Sequence, residues 1–158
     1  MSIDVILNEN EIYVASLVGL RRRVASMTYS KKGNYVRRDA WWDMDIEGAN
    51  AELAVAKHFG IYWDFSVGTF KAPDVGIFQV RHTHYGNGRL VVRPADSDSE
   101  RYYLVTGAAP TFTIHGWLLG KDAKQDKYLE APHGNAPCWM VPNDCLNNLE
   151  GDLHNVPF

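Results

Sequence analysis

The sequence predicts an α+β (broadly α/β) domain built on a mixed central sheet flanked by helices. Three observations predict it. Two helix-forming stretches come first, strand-like runs crowd the middle, and a short helical stretch closes the chain without strict βαβ alternation. At 158 residues the chain suits one domain spanning 1–158. With 46% hydrophobic and 12% aromatic residues it can close a core, so wholesale disorder is excluded.

The first helix is expected from about Asn8 to Lys32. Asn8 or Asn10 caps it, and Glu9 and Glu11 suit the positive end of the helix dipole. Ile12, Ala15, Leu17, Val18, Val24 and Met27 recur at helical spacing, Gly19 weakens the middle, and Gly33-Asn34 is the stop signal. A second helix is expected over Glu47–Phe59, ended by Gly60, with Leu53, Ala56 and Phe59 toward a core. Glu52 lies at the edge of that stripe, where a carboxylate can reach a cleft between helix and sheet.

Strands are expected at Trp63–Val67 (extending toward Phe70), Ile77–His84, Arg89–Arg93, Arg101–Thr106, Thr111–Leu119 and Cys138–Val141. Pro142 then opens a final helix through Leu149. Asn87-Gly88 is the strongest two-residue hairpin signal in the chain.

Charge narrows the function classes. The net charge of −3 does not mark a bulk polyanion binder. It is unevenly spread, however. Arg21, Arg22, Arg23, Lys31, Lys32, Arg37 and Arg38 fall in a basic N-terminal helical segment (about 8–38), with Tyr29 and Tyr35 interleaved and no acidic residue from 21 to 38. Such a stretch suits a phosphate backbone with bases nearby. It equally suits a solvated helix end whose cations complement the dipole. Two cysteines cannot make a disulfide framework, and no targeting segment or membrane span is visible, so the expected setting is cytoplasmic. Gly86 and Gly88 belong to a turn without the lysine of a phosphate-cradling loop, so no nucleotide cofactor is expected.

The segment richest in chemistry is Ala72-Pro-Asp-Val-Gly-Ile-Phe-Gln-Val-Arg81. Gly76 permits a turn after Asp74, and period-two alternation sets Gln79 and Arg81 on one strand face and Val80 on the other. Asp74, the Gln79 amide oxygen and the Arg81 guanidinium can then converge, with Glu52 joining from the helix. Carboxylates with further oxygen donors make a hard-cation site. The same residues can instead cap a turn, pair across strands and form an ion pair. His82 and His84 share a face opposite Gln79 and Arg81 and read as surface or structural residues; His115 reads as a hydrogen-bonded buried ring.

These pieces resemble the PD-(D/E)XK nuclease superfamily, whose fold is restriction-endonuclease-like. That superfamily sets a Glu on a helix, an Asp on a following strand and an (E/Q)-x-K element on the next. The matching positions are Glu52, Asp74 and Gln79-Val80-Arg81. The likeness is closest to a phage-associated subgroup. It extends through the Arg-rich first helix, Asp74-Val-Gly, Asp96-Ser-Asp98, Tyr102-Tyr-Leu-Val105, Ile114-His-Gly-Trp117 and Lys121-Asp-Ala-Lys124, and so covers nearly the whole chain. Their order carries the resemblance more than any one motif.

The resemblance implies a metal-dependent nuclease that hydrolyses DNA phosphodiester bonds in phage or mobile-element DNA processing, working in the host cytoplasm if the gene is viral. Glu52, Asp74, Gln79 and the Val80 carbonyl would hold Mg2+ or Mn2+, Arg81 would stabilise the transition state, and the basic segment would grip DNA. Two departures stand out: Gln79 replaces the usual second carboxylate, and Arg81 replaces the usual lysine. Arginine stays protonated and cannot serve as a general base. The alternative is therefore a catalytically degenerate member that binds nucleic acid or a protein partner without cleavage. An interaction module using exposed aromatics is a third class, and homodimerisation is left open.

Overall fold

Strand β1 (Ile3–Ile6) and helix α1 (Glu9–Thr28) open the chain in the computed structural model, which describes residues 1–28, 41–68 and 72–149. The start of α1 follows from a capping box. The Glu11 N–H donates to Asn8 Oδ1 (2.9 Å) and the Asn8 N–H to Glu11 Oε2 (2.7 Å). The expected stop at Gly33-Asn34, with Lys31, Lys32, Arg37 and Arg38, lies outside the described residues.

Helix α2 (Trp41–Phe59) starts six residues before the expected Glu47. Its first turns pack on α1: the Arg23 guanidinium lies 4.9 Å from the Trp41 ring and its Nε 3.2 Å from Asp45 Oδ2. Gly19, a weak point for an isolated helix, makes this crossing possible. A Cβ there would overlap the Asp45–Ile46 backbone. Gly60, at φ 65°, ends α2 as expected.

Strands β2 (Phe78–Thr83), β3 (Leu90–Val92), β4 (Arg101–Ala108), β5 (Thr111–Leu119), β6 (Leu129–Glu130) and β7 (Cys138–Val141) follow, with the one-turn helix α3 (Gly120–Ala123) between β5 and β6. They form a mixed sheet in the order β1-β5-β4-β2 and a small antiparallel sheet in the order β3-β7-β6. Within the first sheet only β2 and β4 run parallel. The α+β class therefore holds.

β4 faces two cores. Tyr103 and Val105 join Phe78, Phe112, Ile114 and the α2 residues Ala54 and Val55 on one side. Tyr102 and Leu104 join Leu90, Val92, Leu118 and Val141 on the other. Burial on both faces explains why β4 reads as a continuous apolar run. Helices thus cover one face of the sheet, while the second sheet, rather than more helices, covers the other.

Three expected elements differ. Trp63–Val67 forms no strand: Phe65 has φ 58°, incompatible with an extended run, and Trp63 is buried instead. The expected Pro142–Leu149 helix shrinks to a 3-10 turn at Asn143–Cys145, because Asn147 exchanges both backbone hydrogen bonds with Trp117. Gly116 lets that strand approach, since a Cβ would strike the Asn147 carbonyl. Finally, the Tyr85–Gly88 turn forms, but it links two sheets and is no hairpin, because β2 pairs with β4 and β3 with β7.

Candidate active site

The turn at Asp74–Phe78 places the first site residues. Gly76 takes φ 55°, and the Asp74 and Phe78 backbones are tied through Asp74 N–H to the Phe78 carbonyl and Phe78 N–H to the Val75 carbonyl. Asp74 Oδ2 then accepts the Val80 N–H at 2.7 Å, locking the carboxylate beside the start of β2. Asp74, Gln79 and Arg81 line one cavity of about 580 Å3. The convergence expected from turn and strand spacing is therefore present.

Arg81 is held from several sides. Its Nη2 donates to Asp96 Oδ2 at 3.0 Å, its guanidinium lies 4.9 Å from the Tyr102 ring, and Nη1 is 3.5 Å from the Val80 carbonyl. Its Nε is buried with no hydrogen-bond partner among the described residues. Asp96 also accepts the Arg93 N–H, and Lys124 clamps the Asp96–Asp98 turn through the Asp96 carbonyl (2.6 Å) and Asp98 Oδ1 (2.6 Å). Thus Asp96, Ser97 and Tyr102 line the cavity, and Lys124 braces their turn from outside the lining.

Two partners were not anticipated. Glu100, immediately before β4, accepts a hydrogen bond from Gln79 Nε2 at 3.0 Å and lines the same cavity. The pairing of Gln79 with Tyr102 across β2 and β4 brings it there. A carboxylate thus stands next to the Gln79 amide. The single sequence signal was its place between the Asp-x-Asp turn and a strand.

The second is Arg22. Its Nη1 and Nη2 fork onto Glu52 Oε1 (2.6 Å) and Oε2 (2.8 Å), and its Nε donates to the Ser66 carbonyl (2.9 Å). Trp63 Nε1 donates to Glu52 Oε2 as well (3.0 Å). Glu52 is only 7% exposed, and Arg22, not Glu52, lines the cavity. Both Glu52 oxygens thus accept hydrogen bonds from Arg22 and Trp63, and Glu52 stands outside the cavity lining. Of the basic residues expected to grip DNA, Arg22 and Arg23 both pack against neighbouring elements. Arg22 turns into the site, and Arg23, 7% exposed, is held between Trp41 and Asp45. Arg21 is exposed, as a phosphate-binding residue requires.

Electrostatics follow burial. Desolvation, with the Asp74 charge nearby, pushes the Glu52 carboxyl up to about 7 against the pull of Arg22 and Trp63. Asp74 is also raised, first by burial and then by Glu100, with the Val80 N–H, Arg81 and Arg22 opposing. Asp74 thus acts on Glu52, and Glu100 on Asp74.

For a hard cation the fit is selective. Among the described residues no three His, Cys, Asp or Glu side chains are grouped to hold a metal. Asp74, Glu100 and the Gln79 amide oxygen nevertheless suit Mg2+, which takes one or two carboxylates and fills its shell with water and substrate phosphate. Since Gln79 Nε2 faces Glu100, its Oε1 is the atom left for a ligand. The Val80 carbonyl stays beside the Arg81 guanidinium.

His82 and His84 meet edge to face with ring centroids 5.2 Å apart, and His82 Nε2 bonds the Gly107 carbonyl (2.8 Å), on the face opposite Gln79 and Arg81 as alternation requires. His115 bonds Thr106 Oγ1 at 2.7 Å. No described helix is long and apolar enough to cross a membrane. No family model, curated protein or solved structure matches the chain.

Proposed function

We propose that this chain is a PD-(D/E)XK-like, metal-dependent nuclease acting on DNA in the cytoplasm. The observation that carries the reading is the meeting of Asp74, Gln79, Glu100 and Arg81 around one cavity, from two separate stretches of sequence. Asp74 and Glu100 would hold Mg2+ or Mn2+ with the Gln79 amide oxygen. When bound, the ion supplies an acidified water and neutralises charge on the phosphate. Arg81, preset by Asp96 and Tyr102, offers a fixed cation to the extra charge of a pentacoordinate phosphorus. Arg22 offers a second, and Glu52 acts as a positioning residue that aims it.

A second cavity of about 420 Å3 shares Arg81 and Arg93 with the first. Its lining adds Arg89 and His133 and no carboxylate, although Glu130 forks onto Arg89 (2.5 and 3.0 Å) from outside the lining. An acidic cavity adjoining an arginine-lined one suits a strand whose scissile phosphate sits in the first while the chain continues into the second.

The degenerate reading has one observation in its favour: the Arg22 fork neutralises Glu52. Incubation with single-stranded, duplex and branched DNA plus Mg2+ or Mn2+ separates the two. The nuclease reading expects metal-dependent cleavage abolished in Asp74→Asn. Salt-dependent binding without cleavage selects the degenerate reading, and cleavage undiminished in Asp74→Asn overturns this site.

A further inference from the structure

The second cavity combines cations with an apolar pair and an outward-held ring. Arg81 and Arg93 line it and the first cavity alike, so the two cavities meet at a cationic boundary. Val91 lies between Leu90 and Val92, which enter the core beneath the small sheet, so alternation turns Val91 to the opposite face. Its cross-strand partner on β7 is Met140, and both side chains line the cavity. Arg89, held by Glu130, sets its Nη2 3.6 Å from Met140 Sδ and steadies this pair.

Tyr85 lines the same cavity and is 73% exposed. Its backbone is fixed on both sides: its N–H donates to Thr83 Oγ1 (3.4 Å) and its carbonyl accepts the Gly88 N–H (2.8 Å). A large aromatic side chain presented at a cavity wall, rather than packed into a core, is available for stacking. Asn87 and Asn135 add amides that both donate and accept.

Arginines, an apolar pair, an aromatic ring and amides together match an anion that carries a flat heteroaromatic ring, which is a nucleotide. The volume of about 420 Å3 is that of a site for one small organic group, not for a duplex. Within a duplex the faces of a base are covered by its neighbours. Only a base that has left the stack can lay a face on Tyr85 or on the Val91–Met140 pair.

We infer that the second cavity takes one unpaired nucleotide of the DNA strand, its phosphate at Arg81 and Arg93 and its base against Tyr85, Val91 and Met140. The substrate is then single-stranded beside the phosphate held in the first cavity. The inference rests on the proposed function for the path of the strand through that first cavity.

Fluorescence anisotropy of labelled DNA with the full chain, in EDTA and at fixed ionic strength, tests it. A single strand, and a duplex with a single-stranded tail, should both bind at least tenfold more tightly than a blunt duplex. Tyr85→Ala should weaken binding of the single strand by about tenfold, the worth of one base stacked on an aromatic ring. It should leave the salt dependence of binding and the affinity for blunt duplex unchanged, because no phosphate contact is lost. Tyr85→Trp should retain the preference, and Met140→Ala should reduce it. A blunt duplex bound as tightly as the single strand overturns the inference. So does binding of the single strand that Tyr85→Ala leaves untouched, and so does the absence of binding to any of the three DNAs. Cleavage of the same DNAs in Mg2+ reports separately on the nuclease reading. Strand preference without cleavage removes that reading and keeps the unpaired-nucleotide site, whereas cleavage without strand preference does the opposite.

Discussion

Glu52 concentrates the physics of the site in one side chain. It is buried, forked by Arg22 and touched by Trp63, yet burial still raises its carboxyl to about 7 from the ordinary 4.5. Between those values the folded chain holds a proton that the unfolded chain has released. This contribution to stability is therefore fully present below pH 4.5 and declines as pH rises through 7, by about 3 kcal/mol at most. Melting temperature followed from pH 4.5 to 8 should show this fall, and Glu52→Gln should flatten it. An unchanged slope in the variant would assign the proton to another group.

Gln79 gives a second prediction. Replacing it with Glu adds a charge beside Asp74 and Glu100 and should tighten divalent-cation affinity several-fold by calorimetry. Unchanged affinity would remove Gln79 from the ligand set. Asp74, Gln79 and Arg81 were legible because a glycine turn and period-two alternation act over eight residues. The pairing of Arg22 with Glu52 and of Glu100 with Gln79 was not, because these partners lie 30 and 21 residues apart and depend on how helix and strands assemble.

At the scale of elements, close approach decides more than propensity. Gly120 illustrates this. A Cβ there would run into the Ser97 carbonyl and the Asp98 backbone, while its own N–H donates to the Glu100 carbonyl at 3.0 Å. The glycine thus lets α3 hold the loop that carries Asp96 and Glu100. Gly120→Ala should lower the melting temperature by several degrees and cut cleavage together, corresponding to about 1–3 kcal/mol of overpacking. A variant with unchanged melting would show that the loop yields freely.

Strands bounded by turn residues were readable to within two residues, because their apolar faces are long and two-sided. β5 and β7 match their expected limits. The start of α2 was missed because Trp41-Trp-Asp-Met-Asp-Ile46 mixes bulky apolar and acidic residues, and what these turns pack on is Gly19 and Arg23 of another helix. The closing helix failed for the opposite reason. Its Pro142 start was sound locally, but Trp117 offers Asn147 backbone partners that a helix would forgo.

Across the whole molecule, two layers with different charge meet at the cleft. The sheet edge at β2 and β4 brings Asp74, Gln79, Arg81 and Glu100 together, and the small sheet adds the arginine-lined extension. Neither cavity follows from composition, since a net charge of −3 hides the segregation. The proposed function stands on a catalytic divalent cation in the Asp74 cavity. Titration of Mn2+ into the chain, followed by electron paramagnetic resonance, decides whether the cavity holds one. Saturable binding is expected, which Asp74→Asn abolishes and Glu52→Gln largely spares. No saturable binding, or binding that Asp74→Asn leaves untouched, would contradict it.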